Sequence, residues 1–210
     1  MGGSMKKALV EMIGTFFLVL VIALTGNPLA IGVALMALVY AGGHISGGHY
    51  NPAVTLAVLM QKKIRQKEVG VYIFSQLIGA ILASLAVIYL KGTPLVVSPA
   101  LTTTYSQALL TEVLFTFALV TVVLNVAVSE KNTPNDFYGL AIGFTVMAGA
   151  FAGGAISGGA YNPAVGVGPM IVNSFRGGGL TPTLFSLYTI GPFLGAILAS
   201  LVYKYVTSKK

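Results

Sequence analysis

The sequence predicts an all-α integral membrane protein: six transmembrane helices and two re-entrant half-helices, set out as an inverted 3+3 repeat. Three observations lead there. The 210 residues are 56% hydrophobic and only 8% charged, too few polar groups to cover a soluble domain. Apolar stretches near 8–25, 29–45, 69–90, 107–128, 137–155 and 183–205 each approach the roughly 20 residues that cross a ~30 Å hydrocarbon core as helix. Finally, much of the first half of the chain returns in the second.

The repetition is most compact where SGGHYNPAV at 46–54 lies over SGGAYNPAV at 157–165, eight identities in nine at an offset of 111. Glu11, Thr15 and Phe16 recur as Glu112, Thr116 and Phe117 at an offset of 101, and GAILASL at 79–85 returns unchanged at 195–201, an offset of 116. The repeats, about 5–95 and 105–208, make one membrane domain over 5–210. Each holds three full spans, an odd number, so the second copy enters the membrane from the opposite side and a site between them falls near the midplane. The small residues of GAILASL at four-residue spacing fit close helix packing.

Met1 to Ser4 read as a cloning remnant ahead of Met5. The first span has no small-residue cleavage site before the next begins, which argues against a signal peptide. The net charge of +7 fits topology better than nucleic acid. With the N-terminus inside, Lys6, Lys7, Lys62, Lys63, Arg65, Lys67, Lys131, Lys204, Lys209 and Lys210 are cytoplasmic and only Lys91 and Arg176 lie outside, a positive-inside bias that puts both termini in the cytoplasm. The basic cluster at 62–67 also suits lipid headgroups. With no cysteine, disulfides, thiolate ligands and cysteine nucleophiles are excluded.

In each copy Asn-Pro-Ala opens a short apolar run, 52–60 and 163–172. At 1.5 Å per residue each reaches about 14–15 Å, half of the hydrocarbon thickness. Asparagine is a preferred N-cap and proline suits the first helical position, so Asn51-Pro52 and Asn162-Pro163 read as helix starts meeting at the midplane. Irregular backbone at that depth survives only when buried in protein or lining a wet cavity, so 46–50 and 157–161 are expected to line a water path. The candidate lining residues are Gly47, Gly48, His49 and Tyr50, with Gly158, Gly159, Ala160 and Tyr161. Loop carbonyls supply acceptors, asparagine amides supply donors, and each helix start carries roughly half a positive charge. Two such ends repel cations and hold a water that cannot relay a proton.

The chain is identified here as resembling the aquaporins and aquaglyceroporins, the major intrinsic proteins. The resemblance rests on the two Asn-Pro-Ala motifs with Ala53 and Ala164, GHISGGHYNPAV around the first, EMIGTFF in the first span, and the span layout. It implies passive permeation of water and small uncharged solutes, no cofactor, a homotetramer with one pore per subunit, and Glu11 and Glu112 as acceptors that support the re-entrant loops. As the acidic residues inside spans, these two would otherwise be read as proton-relay carboxylates. His44 and His49, with no carboxylate or cysteine partner nearby in sequence, read as loop-packing residues and not a metal site.

The family generally carries an arginine directly after the second motif; here it is Val165. The other constriction positions fall on Ile31, Ala150 and Gly159, where strict water channels have an aromatic, a histidine and a small residue. The glycerol-conducting branch has an aspartate where this chain has Gly166, and Tyr188 matches the water branch while Thr189 does not. An apolar ring of Ile31, Ala150, Gly159 and Val165 predicts relaxed selectivity: water together with glycerol, urea, hydrogen peroxide or neutral metalloid hydroxides. The alternative is a strictly water-selective pore, with bulky neighbours refilling the space. A secondary transporter or a pore-dead structural protein on the same fold are the competing classes. No nucleophile–base pair, metal cluster or phosphate loop suggests an enzyme. Compact loops and short termini point to a multi-pass protein of a prokaryotic plasma membrane.

Overall fold

The computed structural model describes residues 2–178 and 180–208. Within them the chain is helical, in the order α1 (Gly2–Thr25), α2 (Pro28–Ser46), α3 (Pro52–Met60), α4 (Gln66–Lys91), α5 (Tyr105–Val123), α6 (Tyr138–Ser157), α7 (Pro163–Ser174) and α8 (Pro182–Thr207). Six helices are long and apolar enough to cross a membrane, and α3 and α7, at 9 and 12 residues, are not. The expected span 107–128 differs in one respect: its last turn, Leu124–Val128, is π-helical. Residues 2–4, read as a remnant, continue α1; Met1 and the basic Lys209 and Lys210 lie outside the described residues.

Helix starts follow local chemistry. Asn27 caps α2 by accepting from Leu29 and Ala30 N–H, with Pro28 in the first turn. Thr104 and Gln107 form a capping box on α5, and Thr181 caps α8 ahead of Pro182, so these ends leave fewer orphan N–H groups.

Packing repeats across the two halves: α1 lies on α4 and α5 on α8, while α2 meets α6 at the join. Small residues permit this. A side chain at Gly79 would collide with the Met12 carbonyl of α1, and one at Gly195 with the Val113 carbonyl of α5. Gly32 and Gly143 likewise each face the other's backbone oxygen where α2 crosses α6. Ala80, Ala83, Ala196 and Ala199 are buried beside these crossings, so the repeated GAILASL is contact surface.

Successive spans reverse direction, which places the start of α1 and the end of α8 on one side, here the terminal face. Lys7 pairs there with Glu68 at the start of α4 (3.5 Å), and Lys63 after α3 pairs with Glu130 after the π-turn (2.5 Å). On the opposite face Lys91 donates to the Ala23 carbonyl, tying the end of α4 to the end of α1.

Candidate functional site

The two half-helices enter from opposite faces and meet at their N-termini. Asn51 Oδ1 accepts from Ala53 N–H (2.8 Å) and Asn162 Oδ1 from Ala164 N–H (2.9 Å). Each side-chain amide then reaches across the join: Asn51 donates to the Tyr161 carbonyl and Asn162 to the Tyr50 carbonyl, both at 2.9 Å. An asparagine amide has two N–H hydrogens, so each residue keeps a second donor beyond this bond, and both residues line the same cavity.

The loops ahead of these helices share one backbone path. Gly47 (φ 95°) and Gly158 (φ 90°) end α2 and α6 in the left-handed conformation, which costs a glycine nothing. Tyr50 and Tyr161 adopt it as well, at φ 48° and 49°. What holds them is a buried carboxylate behind each loop. Glu11 accepts from Ser46 Oγ–H (2.7 Å), His49 N–H (2.9 Å), Tyr50 N–H (2.7 Å) and Gln76 Nε2–H (2.8 Å). Glu112 accepts from Ser157 Oγ–H (2.7 Å), Ala160 N–H (3.0 Å) and Tyr161 N–H (2.7 Å). Both carboxylates have no exposure; a fully bonded anion is what a buried charge requires.

A cavity of about 380 Å³ runs along these loops. Asn51, Asn162, Ile31, Ala150, Val165 and the residues 47–50 and 158–161 all line it. Several expectations need correction. Ser157 does not line it and Ser46 lines only the second cavity described below; both hydroxyls are committed to the carboxylates. Tyr50 and Tyr161 turn backbone to the cavity, since their rings, 1% and 2% exposed, run between spans and donate to the Leu38 and Gly149 carbonyls. Gly14 and Gly42 leave the socket for the Tyr50 ring. Of the two motifs only the asparagines face the cavity; Pro52, Ala53, Pro163 and Ala164 are buried in packing. His44 supports no loop: it is exposed in the last turn of α2. His49 does pack, with Nδ1 3.1 Å from Thr55 Oγ1 and its ring 5.2 Å from that of Tyr72.

Four supporting residues had not been singled out for this role. Gln76 bridges Glu11 and the Thr55 hydroxyl (3.0 Å). Tyr72 donates to the Ser46 carbonyl and Tyr188 to the Ser157 carbonyl, each at 2.6 Å. The tyrosines stand 116 apart, the GAILASL offset, which was the available signal. Gly166 has a steric reason: a side chain there would strike Tyr188. At the outer end the extended segment Leu95, Val96, Val97 and Ser98 also lines the cavity, held by Asn173 Nδ2 donating to the Leu95 carbonyl (2.8 Å). A second cavity of about 310 Å³ on the terminal face shares Gly47, His49, Val123 and Ala127 with the first and is therefore its mouth.

Fold and site together define a membrane channel of the opposed half-helix type. Comparisons agree. A family model described as Major intrinsic protein matches residues 23–203. Aquaporin AqpM of Methanothermobacter thermautotrophicus is 36% identical over 97% of this chain and 98% of its own. The glycerol uptake facilitator protein-like 6 of Lactiplantibacillus plantarum is 38% identical over 93% and 95%. An aquaglyceroporin structure from Plasmodium falciparum superposes with a TM-score of 0.85 at 21% identity, covering 97% of this chain and 96% of that one. The chain belongs to the major intrinsic protein family and is a transmembrane channel for water and small solutes.

Proposed function

We propose that this channel passes water together with larger neutral solutes such as glycerol, urea or neutral metalloid hydroxides, and bars ions and protons at the paired asparagines. The observation that carries the reading is the wholly apolar set at the outer constriction positions, Ile31, Ala150, Gly159 and Val165, all on one continuous cavity. No charged or hydrogen-bonding side chain stands at those four positions, so water gains no specific advantage there over a solute with apolar surface. The glycerol facilitator-like relative supports the same solute class. The termini face the cytoplasm of a prokaryotic cell, a placement supported by Lys6, Lys7, Lys62, Lys63, Arg65 and Lys67 on the terminal face. The assembly is a homotetramer with one pore per subunit.

The segment 95–98 beside the outer ring favours a second reading, strict water selectivity by backbone refilling. Stopped-flow light scattering on proteoliposomes separates the two. Glycerol and urea permeability above the lipid background is expected; fast water flux with none of either sinks the relaxed reading. Val165→Arg is expected to cut glycerol flux more than water flux, and equal loss of both counts against the size argument.

A further inference from the structure

The inverted repeat gives the outer constriction a counterpart in the half of the pore nearer the terminal face. Subtracting or adding 111 carries Val165 onto Val54, Gly159 onto Gly48, Ile31 onto Ile142 and Ala150 onto Val39. All four counterparts line the same cavity, and α2 and α6, which supply Val39 and Ile142, pack against each other. Three pairs are identical in residue type. The fourth is not: valine stands at 39 where alanine stands at 150, two extra methyl groups on the ring nearer the terminal face. His49, which also lines the cavity, stands where the outer half has Ala160.

Burial separates two of the four pairs, since Val54 and Val165 (4% and 3%) and Ile142 and Ile31 (6% and 8%) are alike. Val39 is 2% exposed although it lines the cavity, whereas Ala150 is half-buried; Gly48 is buried and Gly159 half-buried. We infer that the ring around Val39, with Ile142 and Val54, and not the outer ring around Val165, sets the size limit for neutral solutes in this channel. The inference rests on the reading of the cavity as the conduction path and names the residues that limit it. Val39, Ile142, Val54 and Gly48 are all apolar, so discrimination among solutes by these four is by cross-section, and one methylene in an apolar pocket is worth about tenfold or more in discrimination.

The test is a solute series of urea, glycerol and erythritol, each measured as flux relative to water in proteoliposomes of the full chain. Val39→Ala is expected to raise the erythritol-to-water ratio by about tenfold, and by several times more than Val165→Ala does. Val39→Ile, which adds bulk and keeps the core filled, is expected to lower the glycerol-to-water ratio. A larger effect from Val165→Ala than from Val39→Ala, or equal ratios in all three variants, overturns the proposal. Failure of the channel reading looks different: the parent protein would then show no water permeability above bare lipid.

Discussion

At the scale of single residues, Glu11 and Glu112 explain how two charges persist in an apolar bundle: every oxygen is committed to a loop N–H or hydroxyl. Replacing Glu112 by Gln leaves an amide donor facing the N–H of either Ala160 or Tyr161, which bond to different carboxylate oxygens. A cost of about 2–4 kcal/mol is expected, from weakening charge-assisted bonds and setting donor against donor. Thermal unfolding in detergent measures it, and an unchanged midpoint would contradict the assigned support role. Gln76→Ala is expected to cost about 1–3 kcal/mol in the same assay, because Glu11 loses one of its four donors. The carboxylates were legible in the sequence because acidic residues are scarce in spans. Gln76 was not: its counterpart at offset 116 is Pro192, so the repeat gives no echo of it. His44 misled because proximity to a loop in sequence does not fix the direction of a side chain; α2 turns it outward.

Helices and half-helices were the most legible level. Asparagine N-caps followed by proline, and runs too short to cross the bilayer, set α3 and α7 within two residues of their ends. The π-helical turn 124–128 had no sequence signature, since a single shifted hydrogen bond needs no special residue. Close packing of α1 on α4 and of α5 on α8 yields a clear prediction. Gly79→Ala and Gly195→Ala place a methyl group against a neighbouring backbone carbonyl and are each expected to cost about 1–3 kcal/mol. Gly70→Ala, in the same helix as Gly79 but with open space around it, is expected to gain up to about 1 kcal/mol from helix propensity. If all three variants melt alike, glycine at these crossings is not serving close approach.

The whole molecule joins two equivalent halves that differ at their surfaces. On the terminal face the Lys63–Glu130 pair links the loop after α3 to the one after α5. The hydrogen bond and charge of Lys63 hold Glu130 below its ordinary 4.5, and Glu130 holds Lys63 above its ordinary 10.5. A carboxylate with a lowered value contributes above its unfolded value and loses that contribution as pH falls; a raised amine contributes below its unfolded value and loses it as pH rises. The pair is therefore intact between about pH 4.5 and 10.5. Both groups are exposed, so the expected consequence is local: faster amide exchange over 129–137 in acid or in Glu130→Gln, and little change in melting temperature. An unaltered exchange rate in Glu130→Gln would show that the pair does not order this loop.

The distribution of charge and the inverted repeat were readable from the chain before any coordinates. The closeness of α2 to α6 was not, because it depends on Gly32 and Gly143 meeting backbone to backbone across the crossing. What unites the levels is the proposed neutral-solute path through opposed helix starts that refuses charge. The most direct measurement loads proteoliposomes with a pH-sensitive dye, imposes a proton gradient, and applies an osmotic shock. Rapid, unsaturable shrinkage while the gradient persists is the predicted result. Collapse of the gradient at a rate scaling with protein content, or volume flow no faster than through bare lipid, would contradict it.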